Sequence, residues 1–176
     1  MSSTTNNHIN HNNYRSEVIN CLIPFTRKNP KIILLVSDMG FGVCDRFKEE
    51  FPDRIINMGI MEQATVGIAA GMAMSGMLPV VYSIVNFLVF RAIEQIRNDV
   101  VLQGLNVKFI ASGVNDYFKF LGPSHCCGDD DKKLMELIGM RVFDPYEVGA
   151  AATVDFDFDQ MFSEWITNNG PGYIRV

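Results

Sequence analysis

Short apolar runs alternate with stretches of helical spacing along most of the chain. KIILLVSD (31–38) is a continuous apolar run ending in an acid, which predicts a strand buried on both faces. CDRFKEEF (44–51) predicts a short helix, RIINMG (54–59) a short strand, residues 61–76 a helix and LPVVYSI (78–84) a strand. FLVFRAIEQIRNDVVLQ (87–103) predicts a strongly amphipathic helix, with Phe87, Phe90, Ile93 or Glu94, and Arg97 at helical spacing. VKFIASG (107–113) predicts a strand, followed by a long glycine-containing loop to about Asp130. KLMELIG (133–139) predicts a helix, RVFDP (141–145) a strand, 146–168 mostly helix and GYIRV (172–176) a last strand. Ahead of these, a short helix is expected from Tyr14 to Cys21 or Leu22, before Pro24.

This alternation predicts an α/β domain, a three-layer sandwich with a mostly parallel sheet and helices on both faces. Ligands in such sheets collect at the carboxyl ends of the strands. The loops 38–43, 58–62 and 112–130 are expected there. Residues 1–13, Asn-rich and polar, are expected to be a disordered tail, and 14–176 a single domain. A metal held by His8 and His11 is the weaker reading of that tail.

Composition narrows the class. The 176 residues suffice for one domain with a sizeable core. A net charge of -5 leaves no basic stripe for phosphates, so no nucleic-acid partner is expected. No apolar run spans a bilayer and the N-terminus lacks a signal-peptide core, so neither membrane association nor export is expected. Cys21, Cys44, Cys126 and Cys127 form no CxxC pair and suit reduced thiols in a cytoplasmic protein.

DMGFG (38–42) lacks the third glycine of a dinucleotide loop and the GK[ST] of a phosphate loop. Its glycines suit a turn, but Asp38 lies at the ligand edge of the first strand. GDDDK (128–132) suits a solvated acidic helix start rather than a metal site, because consecutive acids point in different directions.

NMGIMEQATVGIAAGMAMSGMLP (57–79) carries one acid, Glu62, at the head of a helix of small residues. Helix-terminus stabilisation would explain an acid there. Yet glycine inside a helix costs about 1 kcal/mol against alanine. Gly67 and Gly71 therefore imply a compensating close contact, in a tight interface or beneath a neighbouring helix, and an acid at the buried end would be shielded from water.

GIMEQATVGIAAGMAMSGMLPVV together with NFLVFRAIEQIRNDV resembles the pyrimidine-binding domain of the transketolase family, which includes 1-deoxyxylulose-5-phosphate synthase. The matching residues are Asp38, Arg54, Asn57, Gly59, Ile60, Glu62 and Gln63, then Phe87, Phe90, Arg91, Ala92, Gln95, Ile96, Arg97 and Asp99. GPSH (122–125) is similar to the family's substrate loop and YIRV to its last strand. The resemblance covers about Lys31 to Val176. It implies that Glu62 bonds N1′ of the aminopyrimidine of thiamine diphosphate, favouring the imino tautomer that deprotonates thiazolium C2 to the ylide. It further implies cofactor contacts from Asp38, Ile60, Met61, Phe87, Phe90 and Arg91, and a substrate contact from His125.

The family's diphosphate motif, GDG followed by a downstream Asn, does not occur in these 176 residues, and the family's third domain is not expected in this chain. The cofactor's Mg2+ or Ca2+ is therefore expected on a separate partner chain that carries the diphosphate domain, in a heterotetramer about a two-fold axis. Gly113, Leu121 and Cys126 replace the family's histidine, acid and glutamine around the substrate loop, which points away from the usual sugar phosphates. The function implied is transfer of a two-carbon ketol unit between sugars by a split, transketolase-like enzyme. The alternatives are one component of a 2-oxo-acid decarboxylating enzyme and a non-catalytic assembly subunit.

Overall fold

The computed structural model describes residues 11–147 and 156–176. Among these, six strands form one sheet: β1 (Ile32–Val36), β2 (Ile55–Asn57), β3 (Leu78–Ile84), β4 (Lys108–Ser112), β5 (Val142–Phe143) and β6 (Gly172–Arg175). Their order is β2-β1-β3-β4-β6-β5, and every pairing is parallel. Parallel neighbours need crossovers, and the helices supply them.

The layers follow from side-chain alternation within the apolar runs. Ile33 and Leu35 of β1, Val81 of β3 and Phe109 of β4 face α3 (Glu62–Met74), α4 (Val85–Gln95) and α5 (Asp130–Leu137). Ile32, Leu34, Val80, Tyr82 and Ile110 face α1 (His11–Lys28), α2 (Asp45–Glu50) and α6 (Phe158–Thr167). Strands coated on both sides need no polar face, which is why IILLV reads as an unbroken apolar run.

β2 lies on one side of β1 and β3 on the other, so the winding reverses between β1 and β3. An open α/β sheet forms its ligand crevice outside the carboxyl ends at such a reversal. The loop after β1, the entry to α3 and the first turns of α4 all lie there.

Several boundaries differ from the pattern. Among the described residues the first helix covers His11–Lys28, running through Pro24. Pro24 and Asn20, whose carbonyl loses its partner, both face solvent, so water can replace the missing bond. Val18, Ile19, Leu22 and Ile23 stay buried on the other side. The amphipathic helix begins at Val85, and after Gln95 continues as a π-helix, Ile96–Val101. There Leu102 N–H bonds Arg97 O at 2.9 Å and Leu105 N–H bonds Val100 O at 3.0 Å, each five residues back. α5 starts in the acid run, three residues before Lys133. Of the helix expected over 146–168, α6 covers Phe158–Thr167, and residues 148–155 lie outside the described residues. Most of the polar tail, His8 with it, also lies outside them.

Candidate functional site

Glu62 is the first residue of α3, directly after the turn that leaves β2. Its N-cap neighbour Met61 provides no side-chain cap, and Glu62 is the acid of the helix's first turn, where the helix dipole favours negative charge. Glu62 is 2% exposed. Arg91 Nη1 donates to its Oε2 at 2.9 Å, and Ser83 Oγ, near the end of β3, lies 3.5 Å from Oε1. An open pocket of about 310 Å³ adjoins this pair, lined by Ile60, Met61, Glu62, Gln63, Ala64 and Arg91. Ile60 and Met61 expose large apolar surfaces on its rim.

α4 links this carboxylate to the loop that carries His125. The Arg91 guanidinium stacks over the Phe87 ring at 4.0 Å, a cation–π contact one helical turn long. Phe87 in turn meets the His125 ring edge-on, 4.8 Å between centroids. Ser124 Oγ lies 3.0 Å from His125 Nδ1. Glu62, Arg91, Phe87 and His125 thus form one contiguous run of contacts, drawn from three separate stretches of sequence.

Asp38 and Phe90 stand apart from that run. Asp38 has a left-handed backbone, φ 47°, and is tied to Asn57, the last residue of β2. Asp38 N–H donates to Asn57 Oδ1 at 3.1 Å and Asn57 Nδ2 donates to Asp38 Oδ1 at 3.2 Å. Asn57 Oδ1 also accepts from Gly59 N–H at 2.9 Å, so one amide joins the loop after β1 to the turn that presents Glu62. Phe90 is half exposed on the outer face of α4. The close contact expected at Gly67 and Gly71 is absent within the described residues. A Cβ added at either would have nothing within 4 Å. With Ala64, Ile68 and Met74, they form the outward face of α3.

Gly113 directly follows β4 with φ +86°, and a Cβ there would stand 2.2 Å from the Phe118 ring. Phe118 therefore occupies the space of any side chain at 113. Arg15 covers this corner, with its guanidinium 5.0 Å over Phe118 and its Nε donating to Ser112 Oγ at 2.9 Å. Phe120 and Leu121 are exposed on the same loop.

The acid run 128–132 corrects a sequence expectation. Asp129 and Asp130 face solvent, but Asp131 is fully buried. Arg175 of β6 grips it in parallel, Nε to Oδ2 at 2.9 Å and Nη2 to Oδ1 at 3.0 Å. Tyr173 OH adds 2.8 Å to Oδ2, and Asp144 takes the other arm of Arg175. Burial, then the Asp131 charge, push the neighbouring Cys127 thiol up to about 12. Elsewhere Glu17, Cys21 and Asp159 converge within 4.8 Å. Burial and Asp159 push the Cys21 thiol well above its ordinary range.

Sequence does not single out Ser83 or Arg15, and it marks Asn57 only as a family match with no role. Ser83 and Arg15 each sit in an otherwise ordinary strand or helix pattern, and only the packed fold shows what they touch.

A buried acid heading a small-residue helix at the winding reversal defines a ligand-binding α/β domain. The model of the transketolase pyrimidine-binding domain matches residues 12–154, and the chain belongs to this family. It is 29% identical over 163 residues to the 6-deoxy-6-sulfo-D-fructose transketolase subunit SqwH of Clostridium sp. (strain MSTE9), spanning 92% of this chain and 48% of that protein. It is 36% identical over 131 residues to a subunit of the apulose-4-phosphate transketolase of Actinobacillus succinogenes, spanning 74% of this chain and 40% of that protein. The chain thus spans about half the length, or less, of these curated relatives. Among solved structures, a split-gene transketolase described as an inactive beta4 tetramer superposes with a TM-score of 0.72 at 31% identity, over 92% of this chain and 49% of that one. Transketolase from Leishmania mexicana, at 18% identity and a TM-score of 0.70 over 92% of this chain and 24% of that one, shares the fold. No helix among the described residues is long and apolar enough to cross a membrane.

Proposed function

We propose that this chain is the pyrimidine-binding part of a split, thiamine diphosphate-dependent, transketolase-like enzyme that transfers a two-carbon ketol unit between sugars. The observation that carries the reading is Glu62, 2% exposed yet bordering an open pocket of about 310 Å³ with apolar walls. A carboxyl group so placed can share a proton with a ring nitrogen out of reach of bulk water. Bound thiamine diphosphate supplies a carbon nucleophile at thiazolium C2.

This chain's own residues would do the following. Glu62 holds the proton shared with the aminopyrimidine N1′. Ile60, Met61, Phe87 and Phe90 wall the ring, Asp38 borders it from the neighbouring loop, and Arg91 orients the Glu62 carboxylate. His125 donates to the substrate oxygen. Phe118, packed where a side chain at 113 would stand, and Leu121 put apolar groups where the resemblance expects a histidine and an acid, which disfavours ordinary sugar phosphates as substrates. The diphosphate and its Mg2+ or Ca2+ would be held by a separate partner chain, in the cytoplasm. The relatives named as subunits support that division. The open face of α3 suits a second copy about a two-fold axis, giving a heterotetramer.

The test is H/D exchange at thiazolium C2 in the assembled enzyme. Glu62→Gln keeps the shape and removes the shared proton, and should slow exchange by about 10²-fold or more. Exchange at the wild-type rate in the variant would rule the role out.

A further inference from the structure

We infer that Asn86 is a positioning residue that sets His125 against α4, an inference resting on the reading of His125 as the substrate-facing group. Asn86 lies in the first turn of α4 and is 7% exposed. Its Nδ2 donates to the carbonyls of Ser124, at 3.0 Å, and Cys126, at 2.9 Å. These two residues flank His125. Two carbonyl acceptors require the NH2 end of the amide to face the loop, which fixes the orientation of the side chain. The next residue, Phe87, meets the His125 ring at 4.8 Å. Consecutive residues of one helix therefore grip the loop by its backbone and its imidazole together.

The cost of this arrangement argues for positioning rather than stability. Asn86 Oδ1 is buried and has no partner among the described residues. An unpaired buried amide oxygen is unfavourable, and an apolar residue in that turn would avoid it. What an apolar residue cannot do is donate twice. The helix that carries Asn86 also carries Arg91, one further turn on, which holds Glu62 at 2.9 Å. α4 thereby sets the distance between the carboxyl group at one end of the site and the imidazole at the other. An imidazole misplaced by about 1 Å would slow substrate proton transfer by about 10²-fold, while leaving events at Glu62 untouched.

Asn86→Asp keeps the shape and removes both donors, setting a carboxylate against two carbonyl oxygens. Two measurements follow. In the chain alone, the His125 ring resonances, identified by their loss in His125→Gln, should move in Asn86→Asp toward their positions in Phe87→Leu. In the assembled enzyme, kcat for ketol transfer should fall about ten- to a hundredfold, with C2 exchange within about twofold of wild type. Unmoved His125 resonances, or equal losses of transfer and exchange, would overturn the inference. Should Asn86→Asp fail to fold, Asn86→Ala, which removes the donors without adding charge, is read in the same two ways. Absent C2 exchange in the wild-type enzyme would count against the thiamine reading, while the resonances still decide the role of Asn86.

Discussion

Arg91 holds the Glu62 carboxylate at 2.9 Å, and the two differ sharply in setting: the Glu62 side chain is 2% exposed and that of Arg91 43%. Burial of the acid makes this contact stronger than a surface ion pair, and exposure of the arginine keeps it weaker than a fully buried one. Arg91→Met should therefore destabilise the chain by about 1–2 kcal/mol, chiefly by leaving a buried carboxylate unpaired. Adding Glu62→Gln should recover part of that loss, because a neutral amide needs no counter-charge. Urea midpoints for both single variants and the double variant give the coupling. Strictly additive effects would show that the contact contributes nothing.

Asp130 and Asp131 are adjacent and should behave very differently. Asp131 is enclosed by Arg175 and Tyr173, whereas the Asp130 side chain is 63% exposed and pairs with the exposed Lys133. Removing one partner of a buried pair leaves the other charge uncompensated, so Asp131→Asn should cost about 3–5 kcal/mol. Asp130→Asn should stay within about 0.5 kcal/mol. Equal urea midpoints for the two variants would contradict the placement of Asp131.

That contrast marks where sequence reading stops. β3 and the helix from Glu62 were legible because each is a local pattern, a β-branched run or a spacing of small residues. Three adjacent acids carry no local sign of which one turns inward, since Asp131 meets its partner 44 positions later. Asn86 is hidden for a similar reason: its acceptors are backbone carbonyls, which no side-chain pattern announces. The extension of α1 past Pro24 depends on which side of the helix meets water. Glu62 stands out from the pattern itself, at the head of a small-residue helix, whereas Arg91, Phe87 and His125 stand out as site residues only through the family resemblance. Their contiguity, and the outward position of Phe90, came only with the packing of α4.

Lys108 gives the chain a pH signature. It has no exposed surface, and its Nζ donates to the carbonyls of Asn168 and Gly170, each at 2.7 Å. Burial, and then the charge of Arg141, push its pKa down from 10.5 to about 8. Between those values the unfolded chain keeps a proton that the folded chain has released. Stability from this group therefore rises as pH increases through that window, and is flat below it, where both states are charged. Lys108→Met removes the slope, so the wild-type urea midpoint should gain on the variant's from pH 8 to 10.5. A constant difference across that range would show an ordinary lysine.

The last prediction concerns what the chain can bind unaided. The pocket beside Glu62 offers one carboxyl group, one guanidinium, the Gln63 amide and the apolar side chains of Ile60, Met61 and Ala64. Those suit a flat heteroaromatic ring. Among the described residues the one metal-capable trio, Glu17, Cys21 and Asp159, includes a thiol held protonated, and none of the three lines this pocket. Charge-assisted bonds and cation coordination are the strong contacts a diphosphate can make. With only the ring engaged, thiamine diphosphate should bind weakly, with Kd above about 1 mM, which corresponds to roughly 4 kcal/mol. Titration calorimetry of the chain alone, with magnesium and thiamine diphosphate, measures this directly. Adding a second chain that carries the diphosphate site should bring both tight binding and C2 exchange. Micromolar one-to-one binding by the chain alone would mean that it holds the diphosphate itself, and the division of the site between two chains would have to be abandoned.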